Sequence, residues 1–225
     1  MADRALPISN ENCLKDVNMK YLQQKLTSNN LKERLIFAIL LFLILFFCIV
    51  AISYLLLPEG ILKSKNPLSN WETSDNTVIL TLQIFFYNML SVIVIVLGSL
   101  LSYKKESEIR YLSFGYLAFF MQVCINGVVL GTWSFSMANE AAPFLNRITG
   151  IFDLAHRAGI WEMIGQLFVT CSLAQISMIM TSGKTTIKRK IKDIHLKNSE
   201  KLILITGFAL MLVGAIIESI AINNL

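Results

Sequence analysis

The sequence predicts an all-α fold: a membrane bundle of five transmembrane helices preceded by an amphipathic helix. Hydrophobic residues make up 55% of the 225 residues, more than an ordinary soluble domain contains. They are collected in blocks roughly 20 residues long, the length at which a helix crosses a bilayer. The segments between these blocks are polar and hold nearly all of the charged residues. These observations predict a multi-pass membrane protein.

The N-terminal segment, residues 1–34, is polar and precedes the membrane domain. Residues 13–27 predict an amphipathic helix, because several apolar side chains share one face at helical spacing: Leu14, Val17, Tyr21, Leu22 and Leu26. Such a helix lies along the membrane surface or packs on the protein's own cytoplasmic loops, and the sequence leaves both interpretations open. The first apolar run starts only at Leu35, so no cleavable signal peptide is expected.

The membrane domain, residues 35–225, is predicted to contain five spans, at about 35–57, 77–102, 111–133, 159–181 and 202–222. The first span is apolar on every side, so we expect it at the periphery of the bundle. The second and third spans contain side-chain amides, and the fourth and fifth each contain one carboxylate.

The distribution of Lys and Arg predicts the orientation. The N-terminal segment holds six, the turn after the second span three and the loop after the fourth span seven, all on one side. The opposite loops hold three, namely Lys63, Lys65 and Arg147. Since Lys and Arg are enriched in cytoplasmic loops, we expect the N-terminus in the cytoplasm and the C-terminus outside.

Residues 150–180 are the most informative segment, because they are apolar enough to cross a membrane yet contain four charged or titratable side chains. As one helix they would measure about 46 Å, against about 30 Å of hydrocarbon. We therefore expect Asp153, His156 and Arg157 at the outer mouth of the bundle. Glu162 is then within the membrane, about 5 Å below the outer interface.

Glu218 of the last span is expected at a similar depth and is the predicted counterpart of Glu162. Polar groups inside a membrane are costly and are retained where they have a partner or a task. We therefore expect an outer polar cluster that binds a ligand, an ion or a partner's peptide: Glu162, Glu218, Asn88, Asn126, Gln83, Gln122, Arg157, Asp153 and His156. Alternatively, these residues only form interhelical hydrogen bonds, while glycines allow close helix packing: Gly98, Gly127, Gly131, Gly159 and Gly214.

Motifs of catalysis are not found in the sequence. The run from Ser182 to Thr185 resembles the end of a phosphate-binding loop, but Met178 stands where the motif requires glycine. The chain has no H-E-x-x-H and no G-x-S-x-G, so we expect no enzyme, no metal and no cofactor. The four cysteines are interpreted as small apolar residues rather than disulfides or metal ligands.

The net charge of +5 does not indicate nucleic-acid binding, because the lysines lie in loops between spans. The basic stretch after the fourth span contains Lys188, Arg189, Lys190 and Lys192. These residues are expected to contact anionic lipid or the acidic face of a cytoplasmic partner, or only to fix the topology.

Four of the spans together carry a pattern that resembles the stage II sporulation protein M family of bacterial membrane proteins. The matching residues are Asn88 with Gly98, Asn126-Gly127 with Gly131, Gly159-Ile160-Trp161-Glu162, and Ala215-Ile216-Ile217-Glu218. The resemblance covers roughly residues 35–222. The sequence departs from the family at Ala158, where the family usually has a histidine.

The resemblance implies a non-enzymatic, multi-pass protein of the bacterial cell membrane that works within a protein complex. Some members of the family look like accessory subunits of ABC-type exporters, including systems for bacteriocin export and immunity. The expected partners are membrane lipids, an ABC permease and a nucleotide-binding subunit. Two alternatives remain: a self-sufficient channel or transporter, which would require a homo-oligomer, and a structural scaffold in cell-envelope remodelling.

Overall fold

The computed structural model describes residues 20–62, 74–104, 110–134 and 159–223, and this part of the chain is mostly helical. Residues 20–26 are helical and precede the regular elements. In chain order, these elements are α1 (Leu31–Leu56), α2 (Thr77–Ser99), β1 (Leu101–Lys104), β2 (Leu112–Ser113), α3 (Phe114–Gly131), α4 (Ile160–Leu173), β3 (Ile179–Ser182), β4 (Thr185–Lys188), a 3-10 turn (Ile191–Asp193) and α5 (Asn198–Asn223).

Polar side chains define where three of the long helices begin. Asn30 accepts a hydrogen bond from the backbone N–H of Lys32 at the start of α1. Asn76 and Ser113 cap α2 and α3 in the same way. A side chain that caps a helix satisfies a backbone N–H group that has no partner within the helix. The polar residues that border the apolar blocks therefore fix the first turn of each helix.

Contacts between helix ends show the directions in which α1, α2 and α5 run. At the end of the bundle that carries the four strands, here called the sheet end, Arg34 at the start of α1 pairs with Glu200 at the start of α5. At the opposite end, the far end, the side chain of Asn223 donates a hydrogen bond to Thr77 Oγ1 at 2.8 Å. The chain thus enters α1 at the sheet end and leaves α5 at the far end.

Four helices of the described residues, α1, α2, α3 and α5, are long and apolar enough to cross a membrane. Their outward surfaces carry large exposed apolar side chains, among them Ile44, Leu56, Val78, Leu117 and Ile205. Soluble monomers rarely expose apolar surface that is contiguous over such an area. The exposed surface therefore fits a lipid environment.

The predicted fourth span differs from what the structure contains. The predicted limits were 159–181, but α4 ends at Leu173 and has 14 residues. Its length is about 21 Å, which is less than the roughly 30 Å of a bilayer's hydrocarbon. The helix packs against α1, α2, α3 and α5 and is buried along most of its length. α4 is therefore an interior helix enclosed by the four long ones.

A four-stranded sheet at the sheet end departs from the predicted all-α fold. Its strand order is β2-β1-β3-β4, with β1 parallel to β3 and both outer pairs antiparallel. The strands β1 and β3 continue the apolar runs of α2 and α4, and they were predicted as the ends of those spans. A short apolar run has no periodicity that distinguishes a strand from a helix. The pairing of Ser102 with Met180, far apart in the chain, settles the conformation instead.

The described part of the N-terminal segment packs on the protein's own loops, which is one of the two interpretations of the amphipathic helix. Gln23 Nε2 donates a hydrogen bond to the carbonyl oxygen of Arg110 at 2.9 Å, and Arg110 donates one to Thr27 at 3.3 Å. Leu26 is buried in the core. Residues 1–19 lie outside the described part of the chain.

Every Lys and Arg among the described residues lies at the sheet end. They are Lys20, Lys25, Lys32, Arg34, Lys104, Arg110, Lys184, Lys188, Arg189, Lys190, Lys192, Lys197 and Lys201. The other seven of the twenty are not described, and they include all three predicted for the opposite loops, Lys63, Lys65 and Arg147. The described basic residues that the sequence assigns to one side therefore lie together at one end of the bundle.

Candidate functional site

The start of α4 lies inside the bundle and carries Glu162 in its first turn. The residue before the helix, Gly159, has φ of 118°, a left-handed conformation that favours glycine. No side chain caps this helix start. The unpaired N–H groups and the dipole at a helix N-terminus favour a negative charge, so the carboxylate of Glu162 is well placed there.

Glycines bring α4 and α5 into close contact and create the space for Glu162. A Cβ built on Gly214 would lie 2.6 Å from Glu162 Cγ. One turn further along α4, Gly165 faces Gly207, and a Cβ on either residue would come within 2.7 Å of the other's carbonyl oxygen. The side chain of Glu162 therefore lies directly over the backbone of α5.

The structure brings Glu162, Glu218 and Asn88 together. Glu162 is buried, with 6% of its surface exposed, and Glu218 is half-buried. The two carboxylates are close enough to repel each other, and the side-chain amide of Asn88 is within hydrogen-bonding reach of Glu162. Three helices, α2, α4 and α5, each contribute one polar side chain to this group, which we call the carboxylate cluster.

The carboxylate cluster lies in the interior of the bundle. Asn88 is about 16 Å along α2 from its first residue, and Gly214, which Glu162 contacts, is about 14 Å from the end of α5. The predicted depth of about 5 Å for Glu162 was measured from the outer interface and stays a prediction.

Gln166 is a polar residue of α4 that sequence analysis did not select. It follows Glu162 by four residues, so the two side chains lie one turn apart on the same face. Gln166 is 1% exposed. In the described part of the chain, neither Gln166 Oε1 nor Glu162 Oε1 has a hydrogen-bond partner. The sequence does contain a signal for Gln166. Glu162, Gln166 and Thr170 follow one another at intervals of four residues, so they form a polar stripe on an otherwise apolar helix.

Other predicted members of the outer polar cluster lie elsewhere or outside the described residues. Gln83 Oε1 accepts a hydrogen bond from the backbone N–H of Ser74, near the start of α2. Gln122 and Asn126 are half-buried on α3. The remaining three members, Asp153, His156 and Arg157, are not described.

The predicted packing glycines contact three different helix pairs. A Cβ on Gly98 would lie 3.2 Å from the backbone of Phe114 and Gly115, where α2 meets α3. Gly127 and Gly131 face α1, and a Cβ on Gly131 would lie 2.5 Å from the carbonyl oxygen of Val50. Gly214 contacts Glu162 from α5, and Gly159, in the backbone turn before α4, also lies beside it, since a Cβ there would be 3.8 Å from Glu162 Oε2.

The predicted basic stretch lies on and beyond strand β4 at the sheet end. Lys188, Lys190 and Lys192 are exposed. Arg189 is half-buried and donates hydrogen bonds to the carbonyl oxygens of Gln175, at 3.4 Å, and Asp193, at 3.2 Å. Arg189 therefore holds the loop, while the three lysines face outward.

Among the described residues, no three His, Cys, Asp or Glu side chains lie close enough together to hold a metal ion. The carboxylate cluster contains two acidic groups. Cys48, Cys124 and Cys171 are free, and Tyr116 donates a hydrogen bond to Cys171 Sγ at 3.7 Å. The described site is thus built from carboxylate and amide groups.

Comparisons with known proteins identify no relative of this chain. No protein-family model matches it, and neither the curated proteins nor the solved structures include a match. The resemblance to the stage II sporulation protein M family therefore stays a prediction.

Proposed function

We propose that this chain is a multi-pass protein of the bacterial cell membrane and a non-catalytic subunit of a multiprotein complex. The complex is an ABC-type exporter, in which the chain associates with a permease and a nucleotide-binding subunit. The observation that carries the proposal is the sheet end, where a small sheet with one fully exposed strand and every described Lys and Arg are gathered. Such a surface is suited to an acidic partner in the cytoplasm.

Strand β4 gives the sheet end an open edge. All four of its residues are exposed, and it pairs only with β3 within the sheet. An unpaired strand edge presents backbone N–H and C=O groups to which a partner can add a strand. The lysines at 188, 190 and 192 lie beside this edge, so backbone pairing and charge act on the same surface.

The position of α4 favours a subunit over a self-sufficient channel. α4 is buried among the four long helices and fills the interior of the bundle with apolar residues such as Met163, Leu167 and Val169. An ion pathway through one chain would have to pass along this interior. Conduction would therefore require a homo-oligomer with a pathway between copies.

The proposed orientation places the sheet end in the cytoplasm and the C-terminus outside. Four crossings of the bundle would return the chain to the side on which α1 begins. Because α4 also runs toward the sheet end, α5 begins at the sheet end and the C-terminus lies on the opposite side. We therefore expect an alkaline phosphatase fused after Leu225 to be active and a green fluorescent protein fused there to be dark. A fluorescent C-terminal fusion would contradict this orientation.

Purification in a mild detergent tests the proposed partnership. We expect a nucleotide-binding subunit to co-purify with the chain in equal amount. Replacing Lys188, Lys190 and Lys192 by Gln should reduce the recovered subunit about tenfold or more, because these side chains are exposed beside β4.

A matched control removes the same charge from other exposed positions of the sheet end, at Lys184, Lys197 and Lys201. We expect this triple variant to retain the subunit. Equal loss in both variants would indicate a general charge effect. A chain that purifies alone and conducts ions in liposomes would support the channel instead.

A further inference from the structure

We propose that the carboxylate cluster and Gln166 form a binding site for a hard cation, of the class of Na⁺ or Ca²⁺, in the interior of the bundle. Glu162, Glu218, Asn88 and Gln166 would supply the oxygen ligands. This inference goes beyond the role of the chain in a complex, because it concerns the chain alone.

The first argument is the two unpartnered oxygens. Glu162 Oε1 and Gln166 Oε1 are buried and accept no hydrogen bond within the described part of the chain. A buried oxygen without a donor costs free energy that a folded protein normally avoids. The two residues are one turn apart on the same face of α4, so a single cation between them would satisfy both atoms.

The second argument is charge. Glu162 and Glu218 lie close together in the interior of the bundle, while every described Lys and Arg lies at the sheet end. A carboxyl pair in an apolar interior is stable when it is neutralised by protonation or when its negative charge is compensated by a cation. A cation between the carboxylates would compensate it where the described residues supply no basic side chain.

The third argument is the chemistry of the ligands. The available donors are carboxylate and amide oxygens, which bind hard cations in preference to soft transition metals. No His or Cys is among them. This set of side chains therefore does not suit a zinc or copper site.

Thermal unfolding of the full chain, purified in detergent in choline chloride, tests the site. NaCl and CaCl₂ are each compared with choline chloride at equal ionic strength. We expect at least one of the two cations to raise the unfolding midpoint by about 3–6 °C, in a saturable manner. No shift with either cation would overturn the proposal.

Variants locate the effect. Glu162→Gln keeps the shape of the side chain and should abolish the cation-dependent shift, whereas Glu59→Gln, at an exposed loop position, should retain it. If Glu162→Gln does not fold, Glu218→Gln at its half-buried position provides the same measurement. A shift that persists in both cluster variants would place the cation elsewhere and overturn the proposal. The measurement needs no partner subunit, so its outcome is separate from that of the co-purification.

Discussion

Replacing Arg34 by Met is expected to lower the free energy of unfolding by about 3–5 kcal/mol, the usual cost of breaking a buried ion pair from one side. Arg34 Nη2 lies 2.9 Å from Glu200 Oε1, and the two side chains are 0% and 4% exposed. Arg34 also donates a hydrogen bond to the carbonyl oxygen of Ser28 at 3.0 Å. The variant leaves the carboxylate of Glu200 buried without its countercharge and detaches α1 from α5. Reversible unfolding in mixed detergent micelles measures the loss.

Two comparisons make this prediction specific. The double variant Arg34→Met with Glu200→Gln should lose less stability than the sum of the two single variants, because it removes both charges together. Lys25→Met removes the more exposed ion pair with Glu33 at the same end of the bundle, and we expect little change. If Arg34→Met is as mild as Lys25→Met, the pair at the helix starts is not essential to the fold.

The long helices could be predicted from the sequence because hydrophobicity over 20 residues is a strong signal. The predicted starts of the first and last spans, at 35 and 202, differ from the observed ones by four residues each. In both cases the helix extends over polar residues, among them Arg34 and Glu200. Their pairing across the bundle supplies the stabilisation that the local sequence does not reveal. Sequence analysis counted Arg34 only as a charge that fixes topology.

The sheet could not be predicted because its pairing is non-local. Residues 174–182 continue the apolar run of the fourth predicted span, and hydrophobicity alone favoured a longer helix. The chain turns after Leu173 because β3 pairs with β1, whose partner residues lie 78 positions earlier in the sequence.

The candidate site could be predicted in part. Glu162 and Glu218 were selected as counterparts from estimated depth, and the structure places them together with Asn88. Gln83 was added on depth alone, yet it is about 140° around α2 from Asn88 and bonds at the helix start instead. The depth of a residue along a helix does not specify the face of the helix on which it lies. The packing of α2 against α4 and α5 decides which of the two amides points into the bundle.

Ala substitutions at Gly165 and Gly207 are expected to be among the most damaging changes at the α4–α5 contact. A Cβ on Gly165 would lie 2.6 Å from the carbonyl oxygen of Gly207, and a Cβ on Gly207 would lie 2.7 Å from that of Gly165. Both neighbours are backbone atoms, which cannot rotate away. Overpacking of this kind costs about 3 kcal/mol at its upper range. Alanine regains about 1 kcal/mol in helix propensity, so we expect a net loss near 2 kcal/mol.

The same unfolding measurement with Ala209→Leu is the control, since it adds more atoms to α5 at an exposed position and should leave stability unchanged. The glycine variants should also weaken the cation-dependent shift, because separating α4 from α5 moves Glu162 away from Gly214 and Glu218. Stability lost at Gly207 without any effect on that shift would mean that the helix contact and the carboxylate cluster are independent. Full stability in Gly207→Ala would mean that the two helices are less closely packed than this contact requires.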